Sequence, residues 1–86
     1  MQNEAVQEQT FIELFPNPAL NDKIWIKSIY DKADEIKIYN SIGELVLRQQ
    51  NLSLANYIDI QKLPKGAYII EIEVVSKNFT KTFIKN

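Results

Sequence analysis

Apolar residues recur at every second position along most of this 86-residue chain. That period belongs to a pleated strand with one buried face and not to a helix. The clearest case is the run from Tyr68 to Val74, where Tyr68, Ile70, Ile72 and Val74 face one way and Glu71 and Glu73 the other. Shorter runs repeat the pattern. Thr10 to Phe15 reads as a first strand; Ile24, Ile26 and Ser28 alternate with Trp25, Lys27 and Ile29; Ile36 and Ile38 alternate with Glu35 and Lys37. Leu45 and Leu47 share a face opposite Val46, and Tyr57 to Ile60 makes a brief strand. The last strand, Phe79 to Lys85, has two faces, Phe79/Lys81/Phe83/Lys85 and Thr80/Thr82/Ile84, and the pattern leaves open which is buried. No window carries apolar residues at helical spacing without a breaker, so helix content is expected to be close to none.

The breaks between these runs are turn signals. Pro16 and Pro18 deny backbone donors to a ladder and end the first strand as an edge that resists pairing. Asn21-Asp22 is a turn, and Asp31 to Asp34 a polar loop. Asn40-Ser41-Ile42-Gly43 suits a type I turn whose glycine takes positive φ as a bulge between antiparallel strands. Gln49 to Ser53 reads as loop, Leu63-Pro64-Lys65-Gly66 repeats the turn chemistry with proline second and glycine fourth, and Ser76-Lys77-Asn78 turns the chain back. About seven short strands at spacings near eight to twelve residues predict an all-β fold, a small antiparallel β-sandwich, though periodicity alone does not separate a sandwich from a small barrel.

A chain of this length holds one small domain with modest stability. Residues 1–9 are polar and without period, an expected linker or disordered end ahead of a domain over 10–86. Ten basic and eleven acidic residues are interspersed, which gives no electrostatic footprint for nucleic acid. No stretch approaches the length of a membrane-spanning helix. The opening residues lack the cationic and apolar blocks of a signal peptide, so the segment reads as the tail of a longer precursor.

Catalytic constellations are poorly served. There is no histidine or cysteine, hence no thiol nucleophile and no imidazole base. Glu71 and Glu73 share a strand face about 7 Å apart, a spacing of use to a glycosidase only in a cleft; a solvated outer face is the plainer reading. Asp31, Asp34 and Glu35 could touch calcium but lack the glycine turn of a calcium loop. Trp25 and Tyr39 read either as an exposed platform for sugar or peptide or as packing residues.

Four pieces in order carry a resemblance: Phe15-Pro16-Asn17-Pro18-Ala19, Ile38-Tyr39-Asn40-Ser41-Ile42-Gly43-Glu44-Leu45-Val46, Leu63-Pro64-Lys65-Gly66-Ala67-Tyr68 leading into Ile69 to Val74, and the closing Lys81-Thr82-Phe83-Ile84-Lys85-Asn86. Together, over roughly residues 12–86, they resemble the type A C-terminal sorting domain of the type IX (Por) secretion system. The resemblance implies an Ig-like β-sandwich and a non-enzymatic address label without cofactor or metal. Its implied partners are the secretion translocon and shuttle proteins, a sortase-like surface transpeptidase and an upstream cargo domain. Its route is through the periplasm to the cell surface or medium. The residues implied for recognition are Pro16, Asn17, Pro18, Gly43, Gly66, Tyr68, Lys81 and Lys85: prolines and glycines shaping turns, Tyr68 anchoring the core, and the two lysines as contacts. Those lysines also read as plain edge-strand charges. Lys65 departs from the small polar residue common there. The rival reading is an Ig-like adhesion or carbohydrate-binding module, and the position of the last strand at the natural C-terminus is the expected discriminator.

Overall fold

A computed structural model describes residues 12–86. The expected linker 1–9 and the start of the strand expected at Thr10 lie outside the described residues. Seven strands follow: β1 (Ile12–Leu20), β2 (Lys23–Ser28), β3 (Lys32–Tyr39), β4 (Leu45–Ser53), β5 (Ile58–Asp59), β6 (Gly66–Val74) and β7 (Lys77–Lys85). No helix occurs among the described residues. The strands are ordered β4-β3-β6-β7-β1-β2-β5. Every pair is antiparallel except β1 with β7.

One core serves both ends of that order. Ile24 and Ile26 of β2 and Ile58 of β5 join Ile36 and Ile38 of β3, Tyr68, Ile70, Ile72 and Val74 of β6, and Phe83 of β7 in a single buried cluster. Strands β1, β2 and β5 thus contribute to the same core as β4, β3, β6 and β7, consistent with the expected sandwich. The alternation read along β6 is reproduced residue by residue. Each fully buried isoleucine contributes about 1.5–3 kcal/mol of apolar transfer before ordering costs are subtracted.

Four expectations are corrected. The first strand does not end at Phe15: β1 pairs with β2 from Ile12↔Ser28 to Phe15↔Trp25, loses register, and meets β7 at Ala19↔Lys85. Prolines break the ladder there because they have no N–H to give, yet the chain stays extended and changes partner; both X–Pro bonds are cis. The polar loop at 31–34 is strand from Lys32 onward, with Ala33 fully buried. Gln49 to Ser53 is likewise strand, since β4 pairs with β3 as far as Lys32↔Ser53 and buries Leu52. The final hairpin turns at Val75-Ser76, one step earlier than expected, with Val74 opposite Lys77. Both central residues have positive φ (51° and 64°), as do Asn21 and Asp22 (57° and 59°) in the β1–β2 turn. These two-residue connections match the right-handed twist of their strands.

Candidate functional site

The residues that carry the sequence motifs converge on the end of β7. Asn17 sits between two prolines that cannot pair with β7, and its side chain takes over that work. The backbone N–H of Ile84 donates to Asn17 Oδ1 at 3.2 Å, and Asn17 Nδ2 donates to the carbonyl of Thr82 at 3.3 Å. A side-chain amide offers a carbonyl acceptor and N–H donors, as a peptide group offers C=O and N–H, so it can stand in for a strand neighbour. Two residues on, Ala19 resumes the backbone pairing opposite Lys85.

Lys85 itself is buried, 8% exposed. Its ammonium donates to the carbonyls of Ile60 at 2.8 Å, Gln61 at 3.1 Å and Leu63 at 2.6 Å, and lies 3.1 Å from Asp22 Oδ1. A lysine is tolerated inside only when its donors are all taken and a countercharge is near. This cradle meets both conditions. It corrects the reading of Lys85 as an exposed edge charge: β7 lies between β6 and β1, and its inward face is the one holding Phe83 and Lys85. Lys81, on the same face, is half-buried, four residues and about 13 Å along the strand from Lys85.

Next to the cradle, the turn before β6 is fixed by Tyr68. Its hydroxyl donates to the carbonyl of Pro64, while its ring stacks on Phe83 with centroids 5.4 Å apart. A tyrosine near the start of a strand bonding back to the preceding corner is a recurrent brace of Ig-like sandwiches. Gly66 follows with φ of +153° and pairs with Lys85. Gly43 has φ of +89°, as its turn requires: Asn40 Oδ1 accepts from the N–H groups of Ile42 and Glu44, and Gly43 N–H donates to Asn40 O at 3.0 Å. The two turns border one shallow recess lined by Asn40, Ile42, Val46, Pro64 and Gly66. Pro16, Asn17, Pro18, Ala19, Gly66, Tyr68 and Lys85 therefore form one neighbourhood; Gly43 belongs to the turn whose Asn40 and Ile42 line the recess, and Lys81 stands apart.

The other candidates have ordinary partners. Glu71 accepts from the Tyr39 hydroxyl at 3.3 Å; Glu71 and Glu73 line, with Glu35, Lys37 and Asn78, a hollow of about 20 Å³, room for a water and not for a sugar. Asp34 accepts from Val75 N–H at 3.1 Å. Glu35 is ion-paired with Arg48, whose hydrogen bond holds the carboxyl below its ordinary pKa. Trp25 and Tyr39 do not form one platform. Trp25 lies between Phe15 and Tyr57, centroids 6.4 and 5.6 Å away, in the β1-β2-β5 ladder, and Tyr39 belongs to β3.

Two features escaped the sequence: the cradle of Asp22 and the carbonyls at 60, 61 and 63, and the strand-mimicking role of Asn17. A signal existed for the first, since Lys85 shares the parity of Phe83. Residues 13–86 match the family model described as secretion system C-terminal sorting domain. No curated protein matches the chain.

Proposed function

The chain belongs to the secretion system C-terminal sorting domain family, the sorting signal of type IX secretion, and we propose that its address is read at the end of β7. The observation that supports this reading is the convergence of Asn17, Ala19, Gly66 and the Leu63 carbonyl on residues 82–85. Motifs distant in sequence build one small surface there. Pro16, Pro18, Gly43 and Gly66 give that surface its backbone shape, Asn17 and Tyr68 hold it, and Lys85 locks it from inside. Lys81, the more accessible lysine, is the candidate direct contact for the translocon or its shuttle proteins. The unit that sorts is residues 10–86, with 1–9 as the linker to cargo. The cargo passes through the periplasm, and a sortase-like transpeptidase at the surface removes the domain. The role is recognition without catalysis.

Transfer tests it. Fused behind an unrelated protein with its own signal peptide, residues 10–86 should carry that protein to the surface or medium of a host with the type IX system. Lys81→Ala should lower export while the domain melts as before. Retention of the intact, folded fusion in the periplasm would sink the reading.

A further inference from the structure

β4 closes the strand order on its side: it pairs with β3 and, among the described residues, with no strand beyond. Edge strands are commonly guarded against other chains by lysine, proline or inward-pointing charge. Between the bulge at Val46 and the left-handed Asn51, the stretch Leu47 to Gln50 carries no lysine or proline, and its one charge, Arg48, is ion-paired with Glu35.

The outer face behind this edge carries charge in an uneven way. Glu35 stands opposite Glu73 on one side and Gln50 on the other. Two residues along, Lys37 stands between Glu71 and Arg48. One cross-strand row therefore reaches the edge as Glu73, Glu35, Gln50, with acid opposite acid, and the next as Glu71, Lys37, Arg48, with base opposite base. Glu35 and Arg48 pair diagonally between the rows, and a net-negative row and a net-positive row lie side by side behind the edge.

We propose that β4 is a contact surface for a second copy of this chain, pairing antiparallel with its own equivalent about a two-fold axis at Gln49. That axis sets Gln50 opposite Arg48 of the second copy. The acidic row of one copy then continues into the basic row of the other, and the reverse holds across the axis. Neighbouring registers are worse. An axis at Arg48 puts two guanidinium groups opposite each other. An axis at Gln50 brings Asn51, whose φ of 55° leaves strand geometry, into the pair next to the axis, whereas an axis at Gln49 leaves it opposite Leu47, outside the three central pairs. One at Leu47 meets the register break between Ile38 and Tyr39 that leaves Val46 as an extra residue. Because the same patch meets itself, assembly stops at two. The contact is short, below the size of permanent interfaces, so it forms by mass action.

Sedimentation equilibrium on the full chain, together with two variants, tests this. The native chain should pass from monomer to dimer with a Kd below about 1 mM and form nothing larger. Gln49 is exposed, so Gln49→Lys and Gln49→Glu should keep the native melting temperature yet remain monomeric over the same range, each placing like charges across the axis. Mixed, the two variants should form a one-to-one dimer. In the native chain, amide exchange along β4 should slow with rising concentration, a readout that needs no variant. A native chain still monomeric at about 1 mM, higher oligomers, a Gln49→Lys dimer as tight as the native one, or a mixture that stays monomeric would each overturn the proposal.

Discussion

The ammonium of Lys85 lies 2.6 Å from the carbonyl oxygen of Leu63, twenty-two residues earlier in the chain. The side chain ties the last strand to the loop between β5 and β6, and through Asp22 to the β1–β2 turn. Lys85→Met keeps the length of the side chain and removes its donors, which should cost about 2–3 kcal/mol because charged hydrogen bonds are lost and carbonyls are stranded. Lys81→Ala should change stability by less than about 1 kcal/mol. Paired thermal melts check both, and equal effects at the two positions would contradict the buried cradle.

Asn17 offers a second separation of roles. Asn17→Ala removes both bonds to β7 without touching the prolines and should destabilise by about 1 kcal/mol. Its local signature is faster amide exchange at Ile84, with the amides of β3 unaffected. Exchange at Ile84 unchanged from the native rate would show that the side chain does not act as a strand surrogate.

At Gly43 the restriction is conformational. An added Cβ would meet nothing within 4 Å, so any cost of Gly43→Val comes from φ of +89°, a region that β-branched residues avoid. The expected loss exceeds about 1 kcal/mol, read from urea denaturation; a neutral substitution would mean that the turn has another conformation in solution.

Val75 is the reverse case, a β-branched residue at φ of 51° that is 69% exposed. Val75→Asn places a residue suited to the left-handed position in a two-residue hairpin and keeps the N–H that bonds Asp34. It should raise stability by about 0.5–1 kcal/mol. A lower melting temperature would indicate that the valine has a packing role.

What the sequence made legible follows from which faces are buried. Tyr68 to Val74 could be read correctly because one face is wholly core, so the alternation is complete. Gln49 to Ser53 could not, because in this part of the edge strand Leu52 alone is buried while Gln49, Gln50, Asn51 and Ser53 are exposed, so no alternation shows and only the ladder with β3 reveals it. Ala33 is too small to mark a core position by composition. Lys85 misled because a lysine at the end of an amphipathic strand nearly always points to water, and the carbonyls that hold it come from residues whose side chains say nothing about them. Pro16 and Pro18 announced a break in pairing but not a change of partner. The part of the candidate site built from backbone groups was therefore invisible, while the turn ending at Gly43 was readable from its residues; the turn expected at Leu63 to Gly66 lies earlier, closed by the Leu63 N–H on the Ile60 carbonyl, and Gly66 already opens β6.

The parallel run of β1 beside β7 has a mechanical meaning. The described chain enters at Ile12 and leaves by way of Lys85, and because the two strands point the same way, tension between those ends drags one lengthwise past the other. The Asn17 bonds and the Ala19 pairing are then loaded in shear, sharing the load, and do not peel open in sequence as the rungs of a hairpin would. A domain attached through β1 is thus braced against being drawn out by its ends at the same place where its motifs meet, while a pull that lifts β7 sideways from β6 meets far less resistance.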